Sequence, residues 1–108
     1  MDDHEFQLRA DEALQDLDGA LGEAAESHDF EPDFSAGTVT VEFDDPPAKF
    51  VVSPNSPVRQ IWVSALSTSF KLDWNPERGE FVLGETGRSL KELMGEVIGK
   101  QLGEDVKL

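Results

Sequence analysis

From Phe6 onward the apolar residues Phe6, Ala10, Ala13, Leu14, Leu17, Leu21 and Ala24 recur at steps of three and four, and that spacing gathers them on one face of a helix. Gly19 and Gly22 interrupt the same stretch. Each weakens a helix by about 1 kcal/mol relative to alanine, so packing of the apolar face has to supply what propensity lacks. Residues 27–36, with Pro32 and several acids, read as a connecting loop. The period then changes from 3.6 to 2: Val39, Val41 and Phe43 alternate with Thr38, Thr40, Glu42 and Asp44, the pattern of a half-buried strand with acids on its outer face. Asp45-Pro46-Pro47 predicts a turn into a second strand over 49–53, and Pro54-Asn55-Ser56-Pro57 a turn into a third over 59–66. A fourth strand follows over 70–74, a turn over 75–79, and a short strand over 81–83.

Ser89 with Glu92 three residues on is a capping-box signature. Leu90, Leu93, Met94, Val97, Ile98 and Leu102 then keep helical spacing until Gly103. Helix, a run of antiparallel strands, helix: this order predicts an α+β two-layer sandwich, in which both helices pack on one face of a single antiparallel sheet of five to six strands. The other face is left to solvent and partners. In Gln60-Ile61-Trp62-Val63, inward Ile61 and Val63 put Gln60 and Trp62 on that open face. An exposed strand tryptophan is a typical interface anchor; the reversed register, which the pattern disfavours, would make Trp62 core.

The 108 residues form one domain, long enough to bury a core without staples. The absence of cysteine excludes disulfides, thiolate metal sites and cysteine nucleophiles. The opening Met1-Asp2-Asp3-His4-Glu5 has the wrong charge for an export or import signal, so the expected location is the cytoplasm, with the mitochondrial matrix fitting only a processed form. No apolar run approaches membrane-spanning length.

Charge sharpens the picture. Net charge is −14, and the first 45 residues hold fifteen acids against one base, Arg9, while residues 46–108 hold eight of each. Self-repulsion on this scale points to a positively charged partner, a cation or a basic protein surface, and argues against nucleic acid. With Leu17 at the centre of the buried face and about 100° per residue, the helix acids divide into two flanks: Asp11 and Asp18 on one side, Glu5, Glu12, Asp16 and Glu23 on the other. Such rows fit two readings, a solvated acidic face or an open, weak site for a hard cation. His4 and His28 flank the helix, each a surface imidazole or a supplementary nitrogen ligand.

Other chemistry is excluded by spacing. Asp16-Leu17-Asp18-Gly19 would put Leu14 and Ala25 at the end positions of a calcium loop. Gly84-Glu85-Thr86-Gly87 lacks the lysine of a phosphate loop, and no serine has a histidine at a nucleophile spacing. No catalytic constellation is present.

The chain resembles the frataxin family in its short bacterial form. The resemblance lies in Gly37-Thr38-Val39-Thr40-Val41-Glu42-Phe43, Pro57-Val58-Arg59-Gln60-Ile61-Trp62-Val63-Ser64, Lys71-Leu72-Asp73-Trp74 and Ser89-Leu90-Lys91-Glu92-Leu93, with Glu5-Phe6 and Ala10-Asp11 at the start. It implies an iron-binding protein (Fe²⁺ or Fe³⁺, weakly held at the surface) of iron–sulfur cluster assembly. Such a protein is a monomer that meets a cysteine desulfurase and a scaffold protein as iron-linked regulator or iron donor. The iron ligands it implies are Asp11, Asp18, Glu42 and Asp44, with Asp3, Glu23 and Glu26 nearby; the partner surface is Asn55, Gln60 and Trp62. The acidic row is thinner than in bacterial relatives, since Gly22, Ala24 and Ala25 stand where further acids are usual and Gln7 where a histidine is common. Phe81 stands where a strand tryptophan is common. The second helix flank is left as field and solubility. Two alternatives to the iron role are an acidic interaction module with incidental metal binding, and a ferroxidase, which the lack of a Glu/His dinuclear pattern disfavours.

Overall fold

The computed structural model describes residues 1–44 and 46–108. The first helix, α1 (Asp3–Ala24), starts one turn earlier than the apolar period, because the Asp2 side chain caps it by accepting the Glu5 amide at 2.8 Å. A second helix, α2 (Leu90–Leu102), closes the chain. Its predicted capping box is complete: the Ser89 hydroxyl accepts the Glu92 amide at 3.2 Å and the Glu92 carboxylate accepts the Ser89 amide at 2.9 Å. Gly103 caps the far end.

Between the helices the described residues form seven strands in one antiparallel meander in chain order: β1 (Glu31–Ser35), β2 (Thr38–Asp44), β3 (Pro47–Asn55), β4 (Gln60–Ala65), β5 (Thr68–Asn75), β6 (Glu80–Leu83) and β7 (Arg88–Ser89). The expected architecture holds, with seven strands in place of five to six and a few differences of detail. Residues 27–36 are not all loop, since β1 pairs with β2 from Glu31 opposite Glu42 to Ser35 opposite Thr38. Pro32 is tolerated because β1 is an edge strand, with no neighbour on its far side among the described residues, and Pro32 and Phe34 turn partly inward while Glu31, Asp33 and Ser35 face out. The turn predicted over 54–57 begins later, because β3 runs to Asn55 and only Ser56–Val58 form a 3₁₀ turn. The two residues of β7, paired to Val82 and Leu83, complete the sheet. Of the turn predicted at 45–47, Asp45 lies outside the described residues and Pro47 already belongs to β3.

The core lies between the helices and one sheet face. α1 contributes Phe6, Leu14, Leu17 and Leu21, α2 contributes Leu93, Met94, Val97 and Ile98, and the strands contribute Val41, Phe50, Ile61 and Leu72, all buried. Phe81 takes Phe6 and Trp74 edge-on at 5.9 and 5.2 Å, so its ring joins α1 to the β5–β6 hairpin. No polar or charged residue is buried among the described residues. No described helix is long and apolar enough to cross a membrane.

Candidate functional site

Alternation along β4 settles the register at Trp62: Ile61, Val63 and Ala65 are buried, and Trp62, 36% exposed, stands on the helix-free face as the sequence predicts. Its neighbours there follow from strand pairing, with Ser53 on β3 and Lys71 on β5 directly opposite Trp62, and Asn55 and Asp73 directly opposite Gln60. The indole Nε1–H donates to Gln60 Oε1 at 3.0 Å, and Gln60 Nε2–H donates to Asp73 Oδ1 at 3.0 Å. Lys71 holds its ammonium 4.9 Å from the centre of the Trp62 ring, an exposed contact of about 0.5–1 kcal/mol. These contacts fix a large, partly apolar side chain in one orientation before any partner arrives, which lowers the ordering cost of binding. Asn55 completes the group, half-buried and with no side-chain hydrogen bond among the described residues. Lys71 and Asp73 escaped the sequence reading, although β-alternation and the β4–β5 hairpin register lead to both.

The carboxylates are arranged differently. Glu42 and Asp44 lie exposed on β2, and Glu42 faces Glu31 across β1 and Lys49 across β3, with its carboxylate 3.9 Å from the Lys49 ammonium. Asp3 is bound by Arg59 at 3.0 Å. Asp11, Asp18, Glu23, Glu26 and Asp44 form no ion pair among the described residues, and Asp18 is half-buried while the other four are exposed. Among the described residues no three His, Asp or Glu side chains converge closely enough to grip a metal. The arrangement is a spread of hard oxygen donors on rigid elements rather than a cage, and it admits a cation only in an open, largely hydrated mode. Glu31 and Asp33 belong to the same outer face and were missed because their segment reads as loop.

The two flanks of α1 point to different neighbours. Gln7, on the side of Asp11 and Asp18, donates from Nε2 to the Ser56 hydroxyl at 3.2 Å, so this flank looks toward the corner before β4. On the other flank Asp16 binds Lys91 of α2 at 2.7 Å, so that flank is not merely field and solubility. Arg9 on the same side has its guanidinium carbon 5.3 Å from the Trp74 ring centre. His28 is engaged as well, its Nδ1 lying 2.6 Å from Glu104 Oε1, which ties the segment after α1 to the chain end. Two carboxyls are held below their ordinary pKa by hydrogen bonding to the charged form: Asp2 chiefly by the Glu5 amide, and Glu92 chiefly by the Ser89 amide and then its hydroxyl. Both are cap residues rather than members of the acidic rows.

Comparison with known proteins agrees with the geometry. The family model described as a frataxin-like domain matches residues 1–104. An iron-sulfur cluster assembly protein CyaY from Azotobacter vinelandii is 30% identical over 103 residues, which cover 94% of this chain and 93% of that protein. The protein of the same name from Tolumonas auensis is 29% identical over 108 residues, covering 100% and 99%. Among solved structures, frataxin from Psychromonas ingrahamii superposes with a TM-score of 0.83 at 25% identity, covering 99% of this chain and 97% of that one. Yeast frataxin gives 0.70 at 26% identity, covering 93% and 82%.

Proposed function

We propose that this chain, which belongs to the frataxin-like domain family, acts in iron–sulfur cluster assembly as a non-enzymatic iron carrier and iron-linked regulator of a cysteine desulfurase. The relatives named as iron–sulfur cluster assembly proteins support the pathway. The observation that carries the iron role is the combination of hard carboxylates with their failure to converge: Asp11, Asp18, Glu42 and Asp44 stand on regular elements, and no group of three metal-binding side chains closes among the described residues. A donor has to release its cargo. Open carboxylate sites, helped by a net charge of −14 that concentrates cations near the surface, bind iron weakly enough for that. The same negative field steers the acidic side onto a basic desulfurase surface, while Trp62, Gln60 and Asn55 meet the scaffold protein. Iron is cargo in this reading, and no oxidation step is assigned to the protein.

The decisive measurement is an anaerobic Fe²⁺ titration followed by amide NMR. The amides of Asp11, Asp18, Glu42 and Asp44 broaden or shift first. If those four stay unmoved while others respond, or nothing responds, the iron site is wrong.

That no closed metal group forms among the described residues also favours a second reading, an acidic interaction module whose metal binding is incidental. The pair Asp11→Asn and Asp18→Asn separates the two readings. Under the first, iron binding and iron-dependent control of the desulfurase fall together; under the second, iron binding falls and control of the desulfurase persists.

A further inference from the structure

The flank of α1 that the iron reading leaves aside borders a cavity of about 910 Å³ between α1, the first turn of α2, the β5–β6 hairpin and the chain end at 106–108. That size lies within the range of small-ligand sites, roughly 300–1,000 Å³. Trp74 and Phe81 supply an aromatic wall, with Ala13 and Leu90 beside them. Trp74 is half-buried and Phe81 buried, so the wall is fixed by the core.

Arg9 lines this cavity and is the sole base among the first 45 residues. Its protein contacts use little of its capacity. Glu5 is its one ion partner among the described residues, at 3.9 Å and exposed, and its remaining contact is the stacking on Trp74. A guanidinium has five N–H donors in a planar fork suited to a carboxylate, and an aromatic face under it presets that fork. Lys107 also lines the cavity and has no ion pair among the described residues, whereas Lys91 is committed to Asp16. The acids at the rim are less available to a ligand. Glu80 and Glu92 turn to Arg78, at 2.6 and 3.8 Å. Glu12 sits about 140° from the centre of the buried helix face, further toward solvent than Arg9 at about 80°. A cationic ligand would bring its charge against Arg9 and Lys107.

We propose that this cavity binds a small aromatic carboxylate, its ring beside Trp74, which buried Phe81 holds in place, and its carboxylate on Arg9, with Lys107 at the rim. The site is separate from the acidic rows and from the Trp62 face, and it does not depend on the iron reading.

The test is an amide and indole NMR titration of the full chain with indole-3-acetate, and with tryptamine as the cationic counterpart of the same ring. Indole-3-acetate should shift the Trp74 indole N–H and the amides of Ala13, Leu90 and Gly95 on one binding curve, leaving the Trp62 indole N–H in place. Tryptamine should bind at least tenfold more weakly. Arg9→Gln should weaken indole-3-acetate at least tenfold, and Arg9→Lys, which keeps the charge and loses the fork, should fall between. Arg9 is exposed, and an unchanged amide spectrum outside the cavity confirms that the variants are folded. The proposal is overturned by absence of these shifts at millimolar indole-3-acetate, by shifts at Trp62 alone, by equal binding in Arg9→Gln, or by tryptamine binding as tightly.

Discussion

Four glycines lie inside the two helices, and the structure assigns opposite signs to their replacement by alanine. At Gly19 and Gly22 of α1 a Cβ would meet nothing within 4 Å. Removing the backbone freedom of glycine there should stabilise the fold by about 1 kcal/mol each, which for a domain near 100 residues raises Tm by roughly 4–8 °C. On α2 a Cβ at Gly95 would stand 2.9 Å from the Val106 carbonyl oxygen, and one at Gly99 would stand 2.8 Å from that of Glu104. Those atoms are backbone, so the whole segment 104–108 has to move. Its displacement uncovers Val106, now 6% exposed, a loss of about 1.5–3 kcal/mol for a full aliphatic side chain. It also loosens the exposed Glu104 contact to His28, worth about 1 kcal/mol at most. Against the same propensity gain of about 1 kcal/mol, Gly95→Ala and Gly99→Ala should each destabilise by about 1–2 kcal/mol. Urea denaturation of the four variants reads the signs directly. The control is a chain ending at Gly103, in which both α2 substitutions should become stabilising, the reversal that a double-mutant cycle detects. If Gly95→Ala stabilises the full chain as Gly19→Ala does, the chain end is not seated on α2 and the packing argument fails.

Five further outcomes follow from the geometry. Ser89→Ala removes the α2 cap and should cost about 1 kcal/mol. The cap is also sensitive to pH: because the folded Glu92 pKa is lowered, its contribution is present above the ordinary carboxylate range and lost as pH falls through the lowered value, and Glu92→Gln should flatten that part of the acid unfolding curve. Raising salt from low to roughly 0.3 M should raise Tm, since fifteen acids against one base in the first 45 residues repel one another over about 10 Å at 0.1 M; a flat or falling Tm contradicts the charge analysis. Trp62→Ala should cost about 1 kcal/mol, against about 3–5 for Phe81→Ala in the core, while, under the proposed function, weakening scaffold binding at least tenfold in calorimetry. The two-residue turn between β4 and β5 places Leu66 and Ser67 at φ 53° and 60°, so Leu66→Asn with Ser67→Gly should stabilise by about 1 kcal/mol in thermal unfolding.

The elements legible in the sequence were those whose side chains alone carry a period and a stop. Phe6 to Leu21 and Leu90 to Leu102 read as helices because their apolar positions repeat and the second carries its own capping box. Trp62 reads as outward because Ile61 and Val63 flank it. β1 was hidden because Pro32 and the three acids around it, Asp29, Glu31 and Asp33, have loop composition, and only the edge position of the strand makes them acceptable. β7 has two residues and therefore no period. The cavity at Trp74 is assembled from four separate chain segments, so no window of sequence contains it.

The acidic rows mark the boundary between what phase and what geometry can give. Helical phase put Asp11 and Asp18 on one flank, and strand alternation put Glu42 and Asp44 on the outer face, yet neither predicts how far apart carboxylates on different elements finally stand. Ion pairing decides more than position: Asp3 is taken by Arg59, Glu42 faces Lys49, and Asp16 is taken by Lys91, while Asp11, Asp18 and Asp44 stay unpaired among the described residues. A carboxylate held by a base has less of its charge left for a cation, so under the proposed function Asp11, Asp18 and Asp44 should dominate iron binding, with Glu42 contributing less. Asp18 is the half-buried member of the three, and a carboxylate partly withdrawn from water gains more from a bound cation than a fully hydrated one. Single neutral substitutions should therefore weaken iron binding in the order Asp18, Asp11, Glu42. Were Glu42→Gln to cost more than Asp18→Asn, iron would be held between the β1 and β2 carboxylates, Glu31 and Glu42, and not along the helix.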